Sequence, residues 1–464
     1  MAKQIITLLV LIVSFSAFGQ GDNQTPVSYK KLGQIITKTT HEIEASNWSV
    51  GGETMDRDYT IYRNWSPYLV ELGVKKVRLQ GGWAKTEQKR GFYNWEWIDE
   101  SIRDLPKKGI EPWVCLCYGN PLYGKGEIKL GSKIDTDEET RTAWLKWVSA
   151  FVNRYKGVVD EWEIWNEPNG HNPPEVYAEL LIQTAELIKK IQPNSKTIGF
   201  ALAGIPHQWT ENVLKILKEE DKAHLVDFLC YHPYNFNPDA SYPDIEKLYT
   251  LMKKYAPDMQ LFQGENGAPS EWRKTKALSR YEWTELTQAK WALRRMLGDL
   301  GRDIPSSIFS IVDLHYPDEI NRKGLLFSND DQTVGHKKQA FYAVQNLAAV
   351  FDNALDRIKD FSYSAETEHQ NSAFAYTNKL NNQNIVSMWL HTNRPTDYNA
   401  TTLVNVDMTG VKFENPVWVD LRNGYVYEIP KNSWQQNGDT FKVKSLPVYD
   451  SPILIAENEL LKLK

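Results

Sequence analysis

The stretch VDEWEIWNEPNGHNPPEVYAELLIQTAELIKKI, residues 159–191, reads as one β/α unit. Val159–Trp165 is short and carries Val, Ile and two Trp, the composition of a strand. Pro174–Ile191 places apolar residues at i, i+3 and i+4 spacing, the pattern of an amphipathic helix. The same alternation runs outward in both directions, from about residue 40 to 350. A first strand is expected within Glu42–Val50. The others are Val74–Gln80, Ile110–Cys117, Val159–Trp165, Thr197–Leu202, Val226–Tyr231, Met259–Gly264 and Ser307–Leu314. Helical stretches at Thr142–Tyr155, Pro174–Ile191, Thr284–Leu300 and Gln339–Val350 fall between or after them. Apolar strands buried on both faces belong to parallel sheets. Eight such units predict a closed (β/α)8 TIM barrel over residues 40–351. No Gly-x-Gly-x-x-Gly follows the first strand, which argues against a dinucleotide fold.

Beyond residue 352 the texture changes to short β-prone runs separated by turn residues. These are Asn384–Leu390, Thr401–Val406, Pro416–Leu421, Tyr425–Ile429, Thr440–Val443 and Ile453–Ala456, with Asn423-Gly424 as a hairpin-type turn. They predict an antiparallel β-sandwich domain over 352–464, with residues 26–38 adding a strand. At the other end, Lys3, an apolar run Ile5–Phe18 and Ala17-Phe18-Gly19 before Gln20 read as a signal peptide over residues 1–19. A secreted or periplasmic protein is therefore expected. No later apolar stretch is long enough to span a bilayer, so membrane insertion is not expected.

Of the 464 residues, 41% are hydrophobic and 24% charged, as in a globular chain. A net charge of -5 supplies no basic field for nucleic acid. The chain carries 17 Trp, 23 Tyr and 16 Phe, side chains that suit hydroxyl-rich ligands but also serve as core filler. Three cysteines, Cys115, Cys117 and Cys230, lie in strand-like segments and read as buried and reduced, too few for a metal cage.

Barrel enzymes place their chemistry at the C-terminal ends of the strands. The fourth strand ends in Trp165-Asn166-Glu167-Pro168-Asn169, and the seventh in Gln263-Gly264-Glu265-Asn266-Gly267. Two carboxylates thus reach one mouth, which is the requirement for cleaving a glycosidic bond. Small residues flank Glu265, which would leave room for a sugar's anomeric carbon. Glu163, two residues before Trp165, reads as a deeper structural carboxylate.

The Trp-Asn-Glu-Pro-Asn segment with a Glu closing the seventh strand resembles the retaining glycoside hydrolases of clan A, most of all family 39 and its relatives. That resemblance implies Glu167 as acid/base and Glu265 as nucleophile. It places Asn166 on the sugar 2-hydroxyl, Arg78 beside the nucleophile, and His232 and Tyr234 as a sixth-strand His-x-Tyr element. Simple electrostatics points the same way, because Arg78 beside Glu265 favours the ionised carboxylate and Tyr234 would fix its direction. The bland alternatives are an internal ion pair for Arg78 and a core histidine for His232. Trp83, Tyr118, Trp209, Trp272, His315 and Tyr316 follow strand ends and are candidates for sugar-stacking walls. The clan often has a Trp after the eighth strand, and here His315 or Tyr316 is expected to replace it. No metal or other cofactor is expected, since two carboxylates suffice for hydrolysis. The expected partner is an oligo- or polysaccharide, with exo β-xylosidase-like and endo-glycanase action both open, as are sugar, linkage and oligomeric state. The competing class is a non-catalytic glycan-binding protein on the same scaffold.

Overall fold

The computed structural model describes residues 25–464. The segment read as a signal peptide lies outside the described residues. Eight parallel strands close into a barrel: β1 (Trp48–Gly51), β2 (Lys76–Gln80), β3 (Glu111–Leu116), β4 (Glu161–Ile164), β5 (Lys196–Ala203), β6 (Phe228–His232), β7 (Gln260–Asn266) and β8 (Ser306–Ile308). Closure is made by β1 pairing with both β2 and β8, through Val50 opposite Val77 and Ile308. Helices Glu138–Tyr155, Pro174–Ile191, His207–Glu219, Tyr242–Tyr255, Glu285–Leu300 and Gln339–Val350 contribute to the outer layer. Their apolar faces bury Trp147, Phe151, Leu181, Leu214, Leu248 and Leu293 against the strands. Thr284 starts one of these helices with a capping box shared with Thr287, which fixes its first turn.

The eighth strand departs from expectation. It ends at Ile308, and Leu314–His315 instead pairs with Ile320–Asn321 in a separate hairpin. The chain turns away because loop 309–326 folds back on itself: Ser310 accepts from Leu325 N at 2.9 Å, and Ile311 from Leu326 N at 2.9 Å. Asp313 is buried there and bound by Lys338 Nζ at 2.6 Å. A buried ion pair of this kind holds a loop against the barrel rim where a strand would have continued.

The C-terminal region is two antiparallel sheets. Lys31–Gln34, Tyr425–Glu428, Pro416–Asp420, Ile453–Glu457, Asn384–Leu390, Asn371–Asn378 and Leu355–Arg357 form one, in that spatial order. Ser362–Glu366, Thr402–Thr409, Thr440–Val448 and Trp434–Asn437 form the other. A core of Val386, Met388, Val404, Val406, Trp418 and Phe441 lies between them. Gly424, at φ +72°, makes the turn between Pro416–Asp420 and Tyr425–Glu428, a conformation that costs glycine little. Among the described residues no helix is long and apolar enough to cross a membrane.

Candidate active site

Arg78, in β2, is fully buried and anchors the barrel mouth. Its Nη1 donates to Glu265 Oε2 at 2.7 Å and to Glu53 Oε1 at 2.9 Å. Its Nε donates to Glu163 Oε2 at 3.0 Å, its Nη2 to Asn166 Oδ1 at 2.7 Å, and Nη2 also binds Glu163 Oε1. A buried guanidinium is tolerated only when its donors are matched in this way. The ion pair and the role beside the nucleophile are thus one arrangement: Glu163, with no exposure, holds Arg78 from below, and Arg78 holds Glu265.

Glu265 is the better buried of the two mouth carboxylates. Burial pushes its pKa up, but His232, Arg78 and the Tyr234 hydroxyl outweigh that and hold it below the ordinary value. Tyr234 Oη donates to Glu265 Oε1 at 2.9 Å. His232, at the end of β6, pairs through Nδ1 with Glu167 Oε1 at 3.1 Å and lies 3.9 Å from Glu265 Oε2. Burial alone would lower its pKa, yet the Glu265 charge and its Cys230 and Glu167 partners raise it well above the ordinary value. His232 therefore lies between the two mouth carboxyl groups rather than in the apolar core. Carboxylate oxygens of Glu167 and Glu265 and a His232 nitrogen all lie within 4.8 Å of one another. Such a triad has the spacing that could hold a metal ion.

Backbone irregularities aim both glutamates. Trp165 and Glu167 have φ of 66° and 52°, left-handed values that non-glycine residues adopt at a cost. Glu167 N donates to Ala201 O at 2.9 Å, where β5 is itself irregular, with Phe200 at φ 72° and Ala201 at φ 39°. In β7 the pairing with β8 shifts between Gln263 and Asn266, so the strand bulges at Glu265. Bulges of this kind re-aim a side chain.

The small residues beside Glu265 serve packing, which corrects the expectation of open space for a sugar. A Cβ on Gly264 would lie 2.2 Å from Cys230 Sγ, and one on Gly267 would lie 2.1 Å from Phe309 O. All three cysteines are buried and free.

Of the residues expected at the site, Glu167, Glu265, Arg78, Asn166, His232 and Tyr234 come together. His232 and Arg78, both with no exposure, have no surface to offer a sugar and act through the carboxylates, which corrects their placement among substrate contacts. Asn166 is 3% exposed, held by Arg78 and donating from Nδ2 to Tyr118 Oη at 2.8 Å. One amide hydrogen remains for a ligand. Trp83 is not a sugar platform. It stacks on Tyr123 and Trp147 at centroid distances of 5.4 and 6.0 Å and is 1% exposed, so neighbours take up its faces. His315 is turned away by the short eighth strand and binds Ser328 Oγ at 2.9 Å. Tyr316 stands closer, edge-on to Tyr59 at 5.1 Å, with Lys276 Nζ 3.6 Å from its ring centroid. Phe309, the first residue past β8, takes the strand-end position expected of His315 or Tyr316. Trp272 is half exposed. Glu53 and Lys323 were not foreseen. Glu53 lies two residues past β1, so the strand-end rule covers it, whereas Lys323 sits in a long loop with no such signal.

The sequence model of "Glycosyl hydrolases family 39" matches residues 68–260. A β-xylosidase from Geobacillus stearothermophilus is 26% identical over 187 residues, covering 35% of this chain and 34% of that protein. The match thus spans about a third of that relative's length. A family 39 glycoside hydrolase from the gut symbiont Bacteroides cellulosilyticus WH2 superposes with a TM-score of 0.65 at 18% identity, covering 89% of this chain and 81% of its own. A monomeric β-xylosidase from Caulobacter crescentus CB15 does so with a TM-score of 0.60 at 16% identity, covering 92% and 97%. At these identities the superpositions speak for the fold. Family match, closed barrel and paired strand-end glutamates together make this chain similar to the clan A glycoside hydrolases, most of all to family 39.

Proposed function

We propose that the protein is a retaining glycoside hydrolase that cleaves O-glycosidic bonds of a polysaccharide or its oligosaccharides, with β-xylosidase-like specificity. The observation that carries this reading is the approach of the Glu167 and Glu265 carboxylate oxygens to within 4.8 Å at one barrel mouth. Retaining enzymes keep their carboxyl groups about 5–5.5 Å apart, whereas inverting ones leave about 6.5–9.5 Å for a water. Glu265, held ionised and aimed by Arg78 and Tyr234, attacks the anomeric carbon as Glu167 gives its proton to the leaving oxygen. Glu167 then takes a proton from water, which displaces Glu265 and restores the carboxylate. In this reading Asn166 meets the 2-hydroxyl, where hydrogen bonding strengthens as positive charge develops on the ring. The xyloside preference rests on the named relatives. Export to the periplasm or medium rests on the N-terminal sequence.

A 2-deoxy-2-fluoro glycoside of a sugar the enzyme turns over should leave a covalent adduct on Glu265, located by mass spectrometry of the digest. Turnover with an adduct on another carboxylate, Glu163 included, would overturn the assignment. Glycan binding without turnover or adduct would instead identify a binding protein on a hydrolase scaffold.

A further inference from the structure

Glu167 and Asn166 face opposite sides of the mouth, which fixes the side on which a leaving group departs. Glu167 Oε1 lies 3.1 Å from His232 Nδ1, at the end of β6. Asn166, its neighbour in sequence, reaches the other way, to Tyr118 Oη beyond β3 at 2.8 Å. A sugar whose 2-hydroxyl meets Asn166 therefore extends towards β3. The part of the substrate beyond the cleaved oxygen then lies over the loops that follow β6 and β7.

Those loops carry two exposed aromatic rings. Phe236 is 37% exposed and follows Tyr234, the residue that holds the nucleophile, by two positions. Two residues of chain span at most about 7 Å, so its backbone stays beside the site. One face of the Phe236 ring stacks on Trp283, at 6.1 Å between centroids and 9° between planes, and Tyr281 stands across it at 6.0 Å and 82°. Trp272, in the loop after β7, is 50% exposed. Arg280 N donates to Arg273 O at 2.8 Å, so Trp272 and Tyr281 flank one bond between the two limbs of that loop.

A single exposed ring needs no explanation, but this rim is built and held. Ala268, Leu278, Trp283 and Trp291 form a buried cluster against which both Tyr234 and Tyr281 pack. Trp283 Nε1 donates to Leu278 O at 2.8 Å and Trp291 Nε1 to Asn235 O at 2.9 Å, which ties each loop to the cluster. Lys276, Leu278 and Arg280 hold φ of 65°, 63° and 60°, left-handed values that persist only where the surrounding contacts over-determine them. The sandwich reaches the same rim. The Arg394 guanidinium lies 3.9 Å from the Tyr281 ring centroid, and Asn237 Nδ2 donates to His391 O at 3.0 Å.

We propose that Phe236 and Trp272 are stacking surfaces for neutral sugar rings on the leaving side of the substrate, the part released when the bond breaks. This rests on the hydrolase reading above and leaves the sugar at the cleaved bond as it stands there. An aromatic face is electron-rich and takes the apolar C–H face of a sugar ring. Binding of rings that do not react raises kcat/KM when it is realised in the transition state. The sandwich, through Arg394 and His391, braces the rim on which those rings rest.

Xylo-oligosaccharides compared with β-D-xylosyl fluoride test it on the full chain, because the fluoride has no ring beyond the cleaved bond. Phe236→Ala and Trp272→Ala should each lower the ratio of kcat/KM for xylotriose to that for the fluoride by about tenfold, equivalent to about 1.4 kcal/mol. Phe236→Tyr, which keeps a ring face, should retain most of the ratio. A ratio unmoved in either alanine variant overturns the proposal. An equal fall on both substrates also overturns it, since Phe236 would then only support Tyr234. Where glucosyl, galactosyl or arabinosyl fluoride is hydrolysed in place of the xylosyl compound, the trisaccharide of that sugar replaces xylotriose. If no fluoride is hydrolysed, the hydrolase reading itself fails, and calorimetric titration with xylohexaose and cellohexaose decides the platform separately. Binding that each alanine variant weakens supports it, and any other result overturns it.

Discussion

Glu53 shows how one buried residue can set the working state of the others. It is 1% exposed, its Oε2 has no partner, and its Oε1 shares Arg78 Nη1 with the nucleophile. Burial raises its pKa to about 7, with Arg78 opposing and the Glu265 charge reinforcing the rise. This rise favours a proton on Glu53 towards neutral pH and leaves Arg78 to its contacts with Glu163 and Glu265. The folded protein holds this proton more tightly than the unfolded chain, whose value lies near the ordinary 4.5. The stabilisation is complete below that value and is lost as pH rises through about 7. Urea unfolding of Glu53→Gln should show less of this decline than the wild type, because an amide does not titrate. Parallel pH–stability curves would refute a proton on Glu53. Glu167→Gln tests the other carboxylate: hydrolysis of substrates with poor leaving groups should fall about 10²–10⁴-fold. Activated aryl glycosides should still load the enzyme, and azide should restore release. Equal loss on both substrate types without rescue would remove Glu167 from the acid/base role. The glutamate pair was readable from sequence because position relative to a strand end decides what a barrel residue faces, and Arg78 and Tyr234 followed from the resemblance to clan A. Lys323 was not, because loop 309–326 takes its path from Asp313, Lys338 and Gln288, distant partners that no local pattern announces.

At the scale of the element, the site depends on two strands that break their own regularity. β5 slips against β6 between Gly199 and Leu202, and β7 slips against β8 between Gln263 and Asn266. Gly264 sits in the second irregularity against Cys230 Sγ, leaving no volume for a methyl group. Gly264→Ala should therefore destabilise the fold by about 1–3 kcal/mol, the usual cost of overpacking a core. It should also reduce kcat, because relief of the clash moves the backbone next to Glu265. Denaturant unfolding and steady-state kinetics on one preparation check both, and Gly264→Ala with Cys230→Ala should recover much of the stability. A neutral Gly264→Ala would mean that the bulge is slack. Where patterning alone decides an element, sequence and structure coincide: Pro174–Ile191 and Asn384–Leu390 begin and end where the apolar periodicity does. Neither bulge was visible: the first lies inside a run that reads as an uninterrupted strand, and the second falls where the Met259–Gly264 run ends. Asn371–Asn378 was missed for a different reason, since its inward residues include Ala373 and Ala375, which pack well but carry no β-branched signature.

For the molecule as a whole, barrel and sandwich share one core and are pinned by buried charge. Tyr376, Trp389, Val419 and Leu454 of the seven-stranded sheet belong to the same apolar cluster as Leu293 and Leu347 of the barrel helices. The two ends of the described chain also meet on this sheet, where Lys464 N donates to Gln34 O at 2.9 Å. Across the joint, Asp239, from the segment following β6, accepts from Arg294 Nε at 2.7 Å and from Trp389 Nε1 at 2.9 Å. Arg294 has no exposure and donates further to Asn237 Oδ1 at 2.6 Å and Asn393 O at 2.9 Å. Removing the carboxylate leaves a buried guanidinium with only neutral acceptors and an indole N–H with none. Asp239→Ala should therefore cost about 3–5 kcal/mol, the loss typical of a buried ion pair robbed of one partner. Because the core is continuous, that loss should appear as one earlier transition, with tryptophan fluorescence and far-ultraviolet circular dichroism moving together. Among the described residues no hydrogen bond or ion pair links the catalytic cluster to Asp239 or Arg294, so kcat per folded molecule should change little. Asp239→Asn keeps an acceptor but loses the charge and should fall between wild type and Asp239→Ala. Two separated transitions in Asp239→Ala would show instead that barrel and sandwich fold independently, and that the charge pins position without coupling them.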